Sequence, residues 1–357
     1  MERRLLLVAG GTGGHIWPAI SLGRWIEKNR PEVSVGYVCG MRQLELDIYS
    51  SAGIDPQRLP LEGSPFSGGG ILNKLSRIEG LFSSFGKARR IIKQTAPDCC
   101  VLFGGYLSFP VLMVCLALKI PVVMHEQNAY AGKVTRIASR LGVEIFTGWS
   151  ECIPLPLGKY TRIGVPVRFF EKIDRSQAWH KLGLPGDVPA GPMVVAFTGS
   201  LGSMSIKEFI CDTAAAEQFK NWTFILPAVS ESVEKRGENI YLLPNIWDAS
   251  LLFSLADMAV IRAGGSTLTE VGTIGVPSIV IPWRGAADDH QYHNAVAFLA
   301  ENVGILWDSG SDNKMFAKKL AKLYEISKDR RQIMASKLYN SAGRICEDFW
   351  LALSSHF

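Results

Sequence analysis

Several large functional classes are missing their marks in this sequence. The seven cysteines are odd in number and contain no C-x-x-C pair. That argues against a disulfide framework or a paired redox motif, and most of them lie in apolar runs that read as buried thiols in a reducing compartment. Long hydrophobic runs are also missing. The start, Met1 to Arg4 followed by Leu5 to Ala9, superficially resembles a signal peptide, but its apolar run ends after five residues at a glycine loop and reads as a first strand. The longest other apolar run, Val111 to Leu118, stops at Lys119, well short of the ~20 residues a spanning helix needs, so any membrane contact is expected to be peripheral. A formal net charge of +5 is too modest to indicate nucleic acid and suits phosphate-bearing ligands or anionic headgroups. No G-x-x-x-x-G-K-[ST] occurs, and the dinucleotide pattern that begins at Gly11 and Gly13 meets Ile16 where a third glycine or alanine belongs. The P-loop and redox readings both fall.

What the sequence does have is repetition. Its 357 residues exceed one ordinary core, and 47% hydrophobic with 20% charged residues describes a globular α/β chain, so two domains are expected. Leu5 to Ala9 runs into Gly10-Gly11-Thr12-Gly13-Gly14, and Met193 to Phe197 runs into Thr198-Gly199-Ser200-Leu201-Gly202-Ser203. Further on, Asp98 to Phe103 leads to Gly104-Gly105, as Asp257 to Ile261 leads through Arg262-Ala263 to Gly264-Gly265. Helix-length segments lie between the strands, among them Pro18 to Asn29, Ile206 to Lys220, Ala249 to Leu255 and Ser266 to Ile274. Strand and helix alternating in this way predict two doubly wound domains with parallel sheets, meeting at a central cleft. Proline and glycine between Gly158 and Arg168 mark the hinge. The first domain is expected over 1–164 and the second over 165–340, with a terminal helix at about 341–357 packing back on the first.

A glycine-rich turn between strand and helix lets backbone N–H groups approach a phosphate at the positive end of the helix dipole. Four such turns in one chain favour a nucleotide or sugar-phosphate site over mere tight turns. The residues around them resemble those of MurG-type transferases. The resemblance is carried by Gly10-Gly11-Thr12-Gly13-Gly14-His15 with Pro18, by Gly104-Gly105-Tyr106 with Ser108 and Pro110, by His125-Glu126-Gln127-Asn128, by Arg262 to Glu270, and by Asp289-His290-Gln291 with Asn294-Ala295. It spans nearly the whole chain in order. It departs from the family at Thr198, Leu201 and Val165.

The resemblance implies a GT-B fold and an inverting transfer of N-acetylglucosamine from UDP-GlcNAc to a lipid-linked muramyl-pentapeptide acceptor in peptidoglycan synthesis. It also implies a peripheral location on the cytoplasmic face of the bacterial membrane, where cell-wall synthesis and division proteins are possible partners. His15 suits the general base by its chemistry, and Glu126 is a second candidate for that role or an orienting acid. On the family's pattern Asn128 contacts substrate, Glu270 takes the ribose, and the backbone at Ile246 reads the uracil edge. Thr12, Gly13, Gly14, Ser200 and Gly265, Ser266, Thr267, Leu268 and Thr269 serve the donor and its diphosphate, with Arg168 as a fixed positive charge and Gln291 on the sugar hydroxyls. Gly104, Gly105 and Tyr106 fall to the acceptor. His290 and His293 invite a metal reading, but only Asp288 and Asp289 flank them and no D-x-D motif exists, so neither metal nor other cofactor is expected. The rival readings are a UDP-sugar epimerase of the same architecture and an inert UDP-sugar-binding membrane scaffold.

Between Ile71 and Lys93 six basic residues, Lys87, Arg89 and Arg90 among them, face the single acid Glu79. Leu75, Ile78, Phe82 and Phe85 keep helical spacing and are expected to form a core-facing stripe. Ile71, Leu72 and Leu81 lie off it, and apolar residues beside a basic cluster suit an interfacial anchor to anionic lipid.

Overall fold

Strands that are apolar on both faces must be covered on both faces, and the computed structural model shows how this chain does it twice. It describes residues 3–61, 71–171, 173–197, 204–247, 249–308, 310, 312–338 and 341–357. The chain divides into two units, Met1–Arg168 with Ala342–Phe357, and Phe169–Ser341.

The first unit is built on β1 (Arg3–Val8), β2 (Val33–Cys39), β3 (Gln57–Arg58), β4 (Cys99–Leu102), β5 (Val122–Glu126), β6 (Glu144–Thr147) and β7 (Thr161–Arg162). Helices α1 (Gly13–Asn29), α2 (Gln43–Ser51), α3 (Ile71–Thr95), α4 (Ser108–Leu118) and α5 (Lys133–Arg140) connect them. The sheet order among the described residues is β3-β2-β1-β4-β5-β6-β7, and every pairing is parallel. Chain order therefore reverses between β1 and β4, which opens a crevice at their carboxyl ends.

The second unit repeats the plan with β8 (Met193–Phe197), β9 (Thr223–Leu226), β10 (Glu234–Arg236), β11 (Ile240–Leu242), β12 (Met258–Arg262), β13 (Ser278–Ile281) and β14 (Gly304–Leu306). Its helices are α6 (Arg175–Lys181), α7 (Met204–Ala214), α8 (Ala249–Leu255), α9 (Gly265–Ile274), α10 (His290–Glu301) and α11 (Asn313–Leu338). The order is β10-β11-β9-β8-β12-β13-β14, with only the β10–β11 pair antiparallel. The reversal here falls between β8 and β12.

The last helix, α12 (Ser341–Leu353), belongs to the first unit. Phe349 is fully buried, lying 6.3 Å from the Phe103 ring, 5.3 Å from Phe146 and 5.4 Å from the His125 imidazole. Ile345 sits so close over Gly164 that a Cβ there would meet it at 3.2 Å, and φ is +97° at that glycine. All seven cysteines are free and buried, and burial pushes the Cys39, Cys99 and Cys346 thiols up to about 12. Such thiols are unreactive at neutral pH.

Candidate active site

The crevice of the first unit collects three of the segments singled out above. After β1 the chain turns through Gly10 and Gly11 into α1, whose N-cap Thr12 is extended and makes no side-chain cap. With no acid in the first turn either, the positive end of the helix dipole is left for an anion. His15 lies in that first turn, half-buried. After β4 come Gly104 and Gly105, with φ of +80° and +74°, a conformation that other residues adopt only under strain. A Cβ at Gly104 would lie 3.5 Å from His15 Cε1, and one at Gly105 would lie 3.5 Å from Cδ2. The two glycines thus turn the chain and keep the imidazole uncovered.

From the end of β5, Gln127 Oε1 lies 2.7 Å from His15 Nδ1. Gln127 Nε2 lies 2.8 Å from His125 Nδ1 and donates to the His125 carbonyl at 3.0 Å. His125 Nε2 lies 2.8 Å from the Gly164 carbonyl oxygen. Among the described residues nothing bonds His15 Nε2. Burial drives the His125 imidazole down to about 4, the Gly164 bond opposes this and the nearby His15 adds to it, so the ring is neutral at physiological pH.

The unfolded chain, with an ordinary imidazole near ~6.5, binds the proton more readily than the fold does. Stability from this group is therefore complete above that value and is lost as pH falls toward about 4. Going from pH 7 to pH 5 should remove about 2 kcal/mol. Urea unfolding at the two pH values checks this, and His125→Asn should lose that part of the difference.

Glu126 is only 2% exposed, and its carboxylate is saturated. Oε1 accepts from the Asn128 amide and side chain, both at 3.0 Å, while Oε2 accepts from Gly132 N at 2.9 Å and Thr135 Oγ1 at 2.6 Å. With four donors already bound, the carboxylate organises the loop after β5 and orients Asn128. This arrangement speaks for its orienting role over that of a base.

Tyr106 turns its hydroxyl to Glu45 Oε1 at 2.9 Å, and the other Glu45 oxygen accepts from Gly40 N at 2.6 Å. Glu45 is wholly buried beneath Gly10, where a Cβ would meet Oε2 at 2.6 Å. Sequence reasoning missed this acid, because a glutamate in the first turn of a helix reads as a surface acid favoured by the helix dipole. The close packing under Gly10 is a signal only coordinates reveal. Arg168 lies over the Trp17 ring of α1 at 4.3 Å, both residues belonging to the first unit.

In the second unit α9 starts at Gly265 behind the N-cap Gly264, again with no side-chain cap and no acid in its first turn. Gly264 has an ordinary φ of −74°, and a Cβ there would meet only Thr267 Oγ1, at 3.9 Å. Neither backbone nor packing demands glycine, so its use is to leave space above the helix end. Glu270 is buried one turn further along α9, not in the first turn.

The Leu268 side chain is fully buried in the core and its amide bonds Gly264 O at 3.0 Å, so this residue supports the helix start. The Thr269 hydroxyl likewise bonds back to Gly265 O at 2.9 Å. Ile246 is half-buried in the loop after β11, packed against the cluster around Trp179 and Tyr241. Ser200 lies outside the described residues.

The loop between β13 and α10 is tightly held. Asp288 and Asp289 both take left-handed conformations, φ +54° and +50°, which cost energy in a non-glycine residue. Arg284 bonds Asp308 through two nitrogens and Asp289 through a third, and lies 3.8 Å over the Tyr292 ring. Those bonds hold the Asp308 carboxyl below its usual range. Gln291 Oε1 accepts from Trp283 N at 2.9 Å, leaving its NH2 group without a partner among the described residues. Asn294, fully buried, ties α10 to the Ala263 carbonyl at 2.9 Å. Among the described residues no three His, Cys, Asp or Glu side chains group as metal ligands.

Among the described side chains of α3 the buried ones are Ser84, Ala88, Ile91 and Ile92, with Phe85 half-buried edge-on to Phe109 of α4. Phe82 is 71% exposed, so it does not belong to the core stripe its spacing suggested. The helix turns it about 100° per residue away from the face that packs. Arg89 and Arg90 are exposed and Lys87 is half-buried. The side chains of Ile71, Leu72 and Leu75 lie outside the described residues. No helix among the described residues is long and apolar enough to cross a membrane.

Two doubly wound α/β domains, with glycine turns at strand ends and an open imidazole on one of them, define a nucleotide-sugar enzyme of the GT-B kind. Residues 5–147 match the glycosyltransferase family 28 N-terminal domain and residues 193–345 its C-terminal domain. The chain belongs to glycosyltransferase family 28. It is 30% identical over 315 residues, 85% of this chain and 84% of the other, to the UDP-N-acetylglucosamine–N-acetylmuramyl-(pentapeptide) pyrophosphoryl-undecaprenol N-acetylglucosamine transferase of Acetivibrio thermocellus. Its identity to the Bacteroides fragilis protein of the same name is 29% over 346 residues, 90% of each. Its fold is that of Acinetobacter baumannii MurG, with a TM-score of 0.65 at 23% identity over 97% of this chain and 99% of that one. It is shared with the UDP-GlcNAc 2-epimerase of Neisseria meningitidis, at 0.60 and 13% over 99% and 100%.

Proposed function

We propose that this chain transfers N-acetylglucosamine from UDP-GlcNAc to the muramyl 4-hydroxyl of undecaprenyl-pyrophosphoryl-MurNAc-pentapeptide, as the names of its relatives describe for them. The observation that carries the reading is the uncovered imidazole of His15 between two glycine turns. A proton acceptor there is what an attacking hydroxyl needs. The hydroxyl oxygen bonds to the anomeric carbon as its proton passes to His15 Nε2. The bond from that carbon to the diphosphate breaks and UDP leaves with the electron pair, inverting the centre.

Gly104, Gly105 and Tyr106 serve the acceptor. Glu126 serves by holding Asn128 toward substrate. The α9 start at Gly265, Ser266 and Thr267, with Ser200, suits the diphosphate; in the first unit the amides of Thr12, Gly13 and Gly14 and the Arg168 guanidinium suit an anionic group. Glu270 takes the ribose, the Ile246 backbone the uracil, and the Gln291 NH2 group a sugar hydroxyl.

Helix ends and arginine then stabilise the leaving group, and no metal or other cofactor is required. Transfer of labelled sugar to a short-chain lipid acceptor should proceed at an unchanged rate in EDTA. A rate that collapses with the chelator and returns with a divalent cation would remove the metal-free mechanism.

Phe82, Arg89 and Arg90, all exposed on α3, support peripheral docking on the anionic cytoplasmic face of the membrane, where the acceptor resides. In that setting the product feeds cell-wall growth and thereby cell shape and division. Each basic residue near such a surface contributes ~1 kcal/mol, so Arg89→Ala with Arg90→Ala should weaken co-sedimentation with phosphatidylglycerol vesicles by roughly thirtyfold. Turnover of a water-soluble acceptor should not change.

A further inference from the structure

We infer that Gln127 and His125 are positioning residues that fix His15 in the tautomer with its lone pair on Nε2. The inference rests on the reading of His15 as the base. It follows from the order of donors and acceptors along one chain of hydrogen bonds, all within the first unit. The Gly164 carbonyl can only accept, so His125 Nε2, 2.8 Å away, carries a hydrogen. The buried, neutral ring then has its lone pair on Nδ1, where it accepts from Gln127 Nε2 at 2.8 Å.

The same nitrogen donates to the His125 carbonyl at 3.0 Å, so a flipped amide would set oxygen against two acceptors. Gln127 Oε1 is thereby committed to face His15, and an amide oxygen only accepts. His15 Nδ1, 2.7 Å from it, must be the protonated nitrogen. Nε2 is left as the imine, on the ring whose Cδ2 edge is kept clear by Gly105. When Nε2 takes the acceptor's proton, Nδ1–H still has its acceptor, and the neutral amide holds the ring without adding a charge of its own.

The test is long-range proton–nitrogen NMR of the full chain labelled with 15N-histidine, in which only six histidines report and His15→Ala assigns the signal of interest. The expected wild-type spectrum shows His15 with an imine-type Nε2 and a protonated Nδ1. Gln127→Leu removes the acceptor. It should give a tautomer mixture and lower kcat at least tenfold, within the ~10²–10⁴ that a general base supplies, while KM stays within about twofold.

Gln127→Glu restores an acceptor and adds a charge that favours the imidazolium, so the acid limb of its kcat profile should move to higher pH by about 1 unit or more. An imine-type Nδ1 in the wild type, or an acid limb unmoved in Gln127→Glu, overturns the inference. If Gln127→Leu does not fold, the wild-type spectrum and the glutamate variant decide alone. Full activity in His15→Ala would instead overturn the base reading, whatever tautomer the spectrum shows.

Discussion

Replacing His15 with alanine is expected to lower kcat for sugar transfer by ~10²–10⁴-fold, the range a positioned general base supplies. The KM for UDP-GlcNAc should stay within about threefold, because the imidazole acts on the acceptor's proton and not on the nucleotide. The loss should be largest near neutral pH and shrink in alkaline buffer, where hydroxide and the ionised acceptor take over part of the work. Steady-state rates across pH, with circular dichroism to show an intact fold, check this. Glu126→Gln is the informative companion. It keeps the shape but weakens the bonds to Asn128, Gly132 and Thr135, so it should disturb a loop and lower stability as well as rate.

The largest expected stability effect lies in α12. Phe349 is fully buried among Phe103, His125 and Phe146, and truncating such a ring to alanine costs ~3–5 kcal/mol through lost burial and the cavity left behind. Urea unfolding of Phe349→Ala, followed by a probe in the first unit, should show a transition displaced by that amount. The transition of the second unit should not move, since Phe349 belongs to the core of the first. The cavity also borders His125, so the variant should lose part of the hydrogen-bond chain to His15. Activity should then fall even where most molecules remain folded.

The fold was legible because its punctuation is local. A buried apolar run followed by glycines and then a helix is written in consecutive residues, and it recurs at Gly10-Gly11 and at Gly264-Gly265. His15 and the His125 to Asn128 cluster stood out for the same reason. What the sequence hid depends on direction in space. Gln127 and Glu126 are neighbours, yet one faces the His15 imidazole and the other is closed by its own loop, a difference in direction that adjacency in the sequence does not express. Glu45 reads as a surface acid until α2 is seen packed beneath Gly10. Phe82 fits a helical stripe by spacing, but the buried face of α3 runs through Ser84, Ala88 and Ile91. Leu268 lay inside a well-marked motif whose other members hold a helix end, while its own side chain serves the core.

The most direct test incubates the protein with radiolabelled UDP-GlcNAc, with and without a short-chain lipid-linked muramyl-pentapeptide, and follows label and sugar identity together. The account predicts that label enters the lipid product only when acceptor is present and that donor alone is recovered unchanged. Conversion of the donor sugar without acceptor, or no transfer while UDP still binds, would contradict it.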